Sequence, residues 1–261
     1  MRSTLLVLLP LSLIALEAGG PAQPGHGVAA QFAVTHAFFD QALVGTRVVD
    51  LPNRVHQTTA SLGAAYRLPE TPVTVDMRTA LGRMTGSDRG NTTDLLDSSI
   101  GVSWQVPHTT PWTLRPRIGV ILPGSYEVLD ADSFGVGAGG AEASLAVSRS
   151  LGLPGLQMTA DLGYRVMGEE APDRVLGAIG MLQRWTVMEI GVAYRHDQSL
   201  SGHDFDEGSS QGVRRIAGFG EISAATPLSD NTIGRLAVAK AVQGRNKAEK
   251  SQISLIIDHR F

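Results

Sequence analysis

The stretch Leu156–Val166 reads LQMTADLGYRV. Leu156, Met158, Ala160, Leu162, Tyr164 and Val166 alternate with Gln157, Thr159, Asp161, Gly163 and Arg165. Successive side chains of a β-strand point to opposite faces, so this segment has one apolar face and one polar or glycine face. The pattern recurs on both sides of it. Trp112, Leu114, Pro116, Ile118, Val120 and Leu122 alternate with Thr113, Arg115, Arg117, Gly119 and Ile121. Ala141, Ala143, Leu145 and Val147 alternate with Glu142, Ser144, Ala146 and Ser148. Met188, Ile190, Val192 and Tyr194 alternate with Glu189, Gly191, Ala193 and Arg195. Val73, Val75, Met77 and Leu81 alternate with Thr74, Asp76, Arg78 and Gly82, and Ile100, Val102, Trp104 and Val106 with Ser99, Gly101, Ser103 and Gln105. Segments 174–184 and 212–226 alternate weakly.

Alternation by itself also fits a soluble sandwich, so the connections carry weight. The strands predicted are 28–39, 55–68, 72–84, 97–107, 111–123, 139–151, 155–167, 174–184, 186–197, 212–226, 231–243 and 249–261. Every second connection is short: Pro69–Thr71, His108–Thr110, Gly152–Pro154, around Trp185, and Pro227–Asp230. The others are mostly longer: Asp40–Arg54, Thr85–Leu96, Gly124–Ala138, Gly168–Asp173, Ser199–Gln211 and Gly244–Ala248. Alternating short and long connections mark an outer-membrane barrel, with tight periplasmic turns and long extracellular loops. The expectation is an all-β, transmembrane, antiparallel up-and-down barrel of about twelve strands with both termini periplasmic.

The two ends of the chain agree. Arg2, the apolar run Leu5–Leu16 and the small residues Ala18, Gly19, Gly20 and Ala22 have the layout of a secretory signal peptide. Residues 1–22 are therefore expected to be the signal, with cleavage between 18 and 22, and 23–261 the barrel. At the other end, Ile253, Leu255 and Ile257 alternate towards Phe261. An apolar alternating last strand ending in Phe resembles the signal read by the barrel-assembly machinery, although His259 stands where an apolar residue is usual. Tyr66, Trp104, Trp112, Trp185 and Phe261 fall near the short turns, as an interfacial aromatic girdle would.

Composition closes off other classes. The 261 residues include no cysteine, which removes disulfides, thiolate chemistry and zinc–thiolate sites. A net charge of −3 and the absence of a basic run argue against nucleic acid. No cofactor or metal site is legible. The acidic loops (Asp88 and Asp94; Glu127, Asp130 and Asp132; His203, Asp204, Asp206 and Glu207) lack a full calcium-loop pattern and read as solvated surface. They could also bridge lipopolysaccharide phosphates through divalent cations.

The face opposite the apolar one carries the candidate lumen residues: Asp76, Arg78, Arg115, Arg117, Glu142, Asp161, Arg165, Glu189, Arg195, Arg215, Glu221 and Arg235, with Asp258 and Arg260. Charges in a narrow interior are expected to pair across strands, with Asp76/Arg78, Arg115/Arg117 and Asp161/Arg165 the best-placed clusters. They read equally as a structural ion-pair network or as a charged constriction. Pro116, inside a paired strand, is expected to mark a bulge. Lys240 falls on the lipid-facing parity, near the loop end.

The segments Leu114–Gly124 (LRPRIGVILPG), Gly135–Leu145 (GVGAGGAEASL) and Asp161–Arg165 (DLGYR) resemble, in this order, the outer-membrane transporters of the meta-pathway of phenol degradation family. The departure is Leu122-Pro123-Gly124, which lacks the family's Thr between Pro and Gly. What the resemblance implies is an outer-membrane barrel passing small hydrophobic or aromatic molecules. Two other functions fit the architecture. One is a structural or adhesive barrel with a plugged lumen. The other is a lipid-modifying enzyme, which would need a serine and a histidine within hydrogen-bond reach on one face; the outer-membrane phospholipases carry His and Ser two apart on one strand. None of the seven histidines has Ser two residues later, so no enzyme is expected. His36 and His56 lie near lipid-facing parity and read as interfacial structural residues. The partners expected are outer-membrane lipid and lipopolysaccharide, the barrel-assembly machinery and a small hydrophobic permeant.

Overall fold

A computed structural model of the chain describes residues 27–44, 46–87, 90–107, 111–125, 138–168, 171–202 and 215–261. The regular structure among these residues is β: β1 (Gly27–Val44), β2 (Arg47–Arg67), β3 (Val73–Ser87), β4 (Gly90–Leu95), β5 (Ser98–Trp104), β6 (Trp112–Leu122), β7 (Gly140–Ser150), β8 (Leu156–Met167), β9 (Arg174–Arg184), β10 (Glu189–Ser199), β11 (Ile216–Ser229), β12 (Thr232–Arg245), β13 (Lys247–Ala248) and β14 (Ser251–Arg260). Each pairs antiparallel with its neighbours, and the sheet closes because β1 pairs with β2 on one side and β14 on the other. β4 and β5 follow one another along β3, and β13 and β14 along β1, so the fourteen strands form twelve staves. Between the pairs Leu81↔Leu95 and Arg78↔Ser99 the register slips by one residue, a bulge that puts Leu96 on the inner face.

The period-2 pattern sets which side is which. Large apolar side chains point outward all round the ring, among them Phe32, Leu62, Met77, Leu81, Ile118, Leu162, Ile179, Ile222, Val238 and Leu255, each close to half exposed or more. The inner face buries Gln31, Gln57, Ser61, Asp76, Arg195, Asp197, Ser254 and Asp258 instead. A continuous exposed apolar belt far exceeds the patches a soluble monomer tolerates. Through the belt each described stave pairs on both sides, the condition for crossing a hydrocarbon layer with strands. The short connections gather at one end with both described termini: the Phe261 amide donates to the Val28 carbonyl at 2.9 Å. Tyr66, Trp104, Trp185 and Phe261 stand exposed at that turn end, and Arg149 stacks over Trp112 with its guanidinium carbon 4.9 Å from the ring centroid.

Several sequence expectations need correcting. Asp40–Arg54, Thr85–Leu96 and Gly244–Ala248, read as loops, are mostly strand. β1 and β2 run on to Val44 and Arg47, β3 and β4 form a hairpin, and β12 runs on to Arg245 before β13 turns back along β1. Polar, unalternating residues hid these extensions, which rise beyond the apolar belt and need no lipid-facing side. Pro116 marks no bulge. The β5–β6 ladder stops at Ser103↔Arg117 and resumes in the same register at the isolated bridge Val106↔Leu114. A missing N–H removes a ladder bond without demanding an extra residue. The proposed signal segment, Asp88 and the acidic residues of 126–137 and 203–214 lie outside the described residues.

Candidate functional site

The inner wall is built by the same alternation. Asp76, Arg78, Arg115, Arg117, Glu142, Asp161, Arg165, Glu189, Arg195, Glu221 and Arg235 all lie on the strand face opposite the apolar belt, and Arg215 is buried just before β11. The first charged group runs along four staves. Arg117 on β6 donates from Nε to both Asp76 carboxylate oxygens, at 3.1 and 3.0 Å, and from Nη2 to Oδ1 at 2.7 Å. Its Nη1 pairs with Glu142 on β7, and Glu142 accepts from Arg165 Nε on β8 at 2.9 Å. Asp76 is on β3, so the Arg117 side chain crosses the whole of β5 to reach it. It does so over Gly101, where any Cβ would overlap the guanidinium, and beside Gly119, its neighbour in β6. The two glycines let a long cation lie against the wall.

The pairing across strands expected of these charges is seen in the described ion pairs, which join Asp76, Arg117, Glu142 and Arg165. Side chains two apart on a strand are nearly 7 Å apart along it, whereas register partners such as Glu142↔Arg165 face each other at about 5 Å. Asp161 lies on the same face and takes no hydrogen bond among the described residues.

A second group occupies β9–β12. Arg195 pairs with Glu221, and Arg174 with Asp197. Glu189 accepts from its register partner Arg184 at 2.8 Å and from Arg235 at 3.2 Å. Arg235 is on β12, and it reaches β10 over Ala225, the residue between them in the register. The device of Gly101 is repeated: a small residue on the middle strand lets a cation bridge its two neighbours. Arg174, Arg184 and Asp197 were missed from sequence. Asp197 shares the parity of Glu189 and Arg195 and was legible. Arg174 and Arg184 sit on β9, where Leu176 and Leu182 share their face and blur the alternation.

Elsewhere the wall is joined by shorter contacts. Gln31 donates to Asp258 at 2.7 Å, and the Thr35 and Ser254 hydroxyls meet at 2.9 Å. Nearer the loop end apolar side chains gather, and Arg215, Asn246 and Lys250 are buried there too. Phe39, Val55, Ala80, Met84, Leu96 and Ala248 form one buried cluster, and Ala217 and Phe219 another, packed with Ala241. In the connection between β8 and β9, the Met167 amide and the Tyr164 hydroxyl donate to Asp173 and hold its carboxyl below the usual carboxylate range. Among the described residues no group of three or more His, Asp or Glu is placed to hold a metal ion.

No family model matches the chain, and no curated protein matches it. Solved structures do resemble it. An outer membrane channel from Pseudomonas putida F1 has a TM-score of 0.75 at 13% identity, over 92% of this chain and 97% of that one. KdgM porin has a TM-score of 0.55 at 7% identity, over 88% and 99%. The translocator domain of the autotransporter NalP from Neisseria meningitidis has a TM-score of 0.52 at 14% identity, over 95% and 92%. At these identities the likeness is one of fold: a closed twelve-stranded barrel of the outer-membrane type, which places the chain in the outer membrane.

Proposed function

We propose that the barrel is an outer-membrane channel for small molecules, hydrophobic and aromatic ones among them. The observation that supports this is the lateral layout of the charges. Each ion pair described above joins neighbouring or next-neighbouring staves, so none of them crosses the lumen. Inside a closed ring, Arg117 and Arg165 keep 19% and 30% of their side-chain surface open to water. The apolar clusters around Phe39 and Phe219 offer inner-wall contacts suited to a hydrophobic guest. The resemblance to phenol meta-pathway transporters, and neighbours named as a channel and a porin, point the same way. In this reading the short turns and both termini face the periplasm, no catalysis is involved, and the strand bearing Ile253, Leu255, Ile257 and Phe261 is the part recognised by the assembly machinery.

Single-channel conductance in planar bilayers tests it. The wild type should give discrete openings. Arg115→Ala and Arg117→Ala should shift their size or ion selectivity, because both residues lie on the inner face. A second reading, a structural barrel with a plugged lumen, is favoured by the burial of Arg174, Arg195 and Asp197, each no more than 4% exposed. Folded, heat-modifiable protein with no conductance would turn the assignment to that second reading.

A further inference from the structure

One sector of the outer face breaks the apolar belt. At the loop end, His36, Phe38 and Asp40 on β1, Arg54 and His56 on β2, Arg83 on β3 and Lys240 on β12 share the outward parity. The registers place them side by side: His36↔Thr58↔Arg83 in one row, and Lys240↔Ser251↔Phe38↔His56 in the next. Staves stand about 4.8 Å apart, so the group spans roughly 20 Å of circumference.

The side chains are organised among themselves. The His36 and His56 rings stack with centroids 5.5 Å apart, and His36 Nδ1 lies 3.0 Å from Thr58 Oγ1. The Arg54 guanidinium carbon is 5.9 Å from the Phe38 ring centroid, and its Nη2 donates to Asp40 at 2.9 Å with both side chains more than half exposed. Arg83 and Lys240 have no hydrogen-bond or ion-pair partner among the described residues. Of the nearby carboxylates, Asp40 is held by Arg54, Asp50 accepts from Gln41 at 2.9 Å, and Glu249, two residues before Ser251, stands exposed on the same parity. Against Asp40 and Glu249 the sector sets Arg54, Arg83 and Lys240, one cation in excess among the described residues of this parity. Across the barrel the same margin carries Tyr164, hydrogen-bonded to Asp173, and Tyr194 beside His196, with no outward cation among the described residues.

Height fixes what the sector meets. A strand rise of about 3.3 Å at a tilt of about 40° gives about 2.5 Å of barrel height per residue. Phe38 is ten residues above Val28 at the turn-end margin, or about 25 Å, the height of the apolar band itself. The cations therefore lie at headgroup level. An outward Arg there costs far less than at mid-membrane, but low cost does not explain why the cations gather in one sector. Directly below them Phe32, Leu81, Val238 and Ile253 are about half exposed and apolar.

We infer that this sector is a docking surface for the phosphate-bearing headgroup of a membrane glycolipid. Arg54, Arg83 and Lys240 take the phosphates as charge-assisted hydrogen-bond donors. The rings of Phe38, His36 and His56 form the floor, and the apolar residues below receive the acyl chains. The surface lies outside the lumen, so it stands or falls separately from the channel reading.

The test is native mass spectrometry of the full chain, refolded in detergent and titrated with bis-phosphorylated lipid A. Arg83→Ala/Lys240→Ala should weaken binding about 10-fold or more, with folding checked by heat-modifiable mobility. Arg149→Ala, at the turn end, should leave binding unchanged. Dephosphorylated lipid A should not distinguish wild type from the double variant, and inorganic phosphate at the same concentration should not displace the lipid. If the double variant does not fold, Arg83→Gln alone should give a loss of about threefold. Equal affinity in wild type and variants, a difference that persists without the phosphates, or displacement by free phosphate would each overturn the inference.

Discussion

The inner wall over β3–β8 is held by a long cation laid across it, and the wall over β14 and β1 by shorter polar partners facing one another. In the first, Arg117 links Asp76 to Glu142 and spans β5 over Gly101. In the second, Gln31 meets Asp258 and Thr35 meets Ser254 between directly paired strands. The difference is one of reach and of consequence. A bridging cation serves two carboxylates at once, so its loss withdraws a partner from both. A single hydrogen bond between direct neighbours withdraws a partner from one atom.

The sharpest way to break this contrast is Arg117→Ala. Asp76, 4% exposed, and Glu142, 11% exposed, would lose their shared partner. Removing one member of a buried ion pair costs about 3–5 kcal/mol, and urea unfolding in lipid vesicles should show a loss of that order. If the loss were no larger than for the pairs between β1 and β14, the contrast would fail. Adding Asp76→Asn to that variant should recover part of the loss.

A smaller effect is expected from Gly101→Val. Its side chain would displace the Arg117 guanidinium from the wall, at about 1–3 kcal/mol for overpacking. Because the cation is then pushed inward, single-channel conductance should fall as well. Unchanged conductance would show that Arg117 does not need the gap.

Between β1 and β14, Gln31→Leu should cost about 1–3 kcal/mol, the range for withdrawing the donor from one buried acceptor, here on Asp258. Thr35→Val should cost about 1 kcal/mol or less, since only the Ser254 hydroxyl loses a partner and it can turn elsewhere. Should Thr35→Val approach Arg117→Ala in an unfolding titration, the two sectors would not differ in kind.

Legibility follows the same division. Every charged residue assigned to the inner face from strand alternation lies on that parity, because alternation needs only the local backbone. β9 yielded no clear reading because Leu176 and Leu182 face inward beside Arg174 and Arg184, mixing apolar residues into both faces. The hairpin extensions of β1–β2 and β3–β4 were read as loops because, beyond the belt, neither face is selected to be apolar. His36 and His56 were placed correctly on the outward side, but their stacking, and their position beside Arg83 and Lys240, depend on the register of five staves.

The sequence by itself determined the barrel, its approximate strand number, and the sorting of residues into an outer and an inner face. These follow from a period of two and from the spacing of turns, both local properties of the chain. Only the tertiary structure decided which charges meet. Asp76 and Arg117 are 41 residues apart, Glu189 and Arg235 are 46 apart, and each pair is joined across a strand whose small residue leaves the path clear. Register and closure set those encounters, and both arise from pairing between distant segments, which no local pattern encodes.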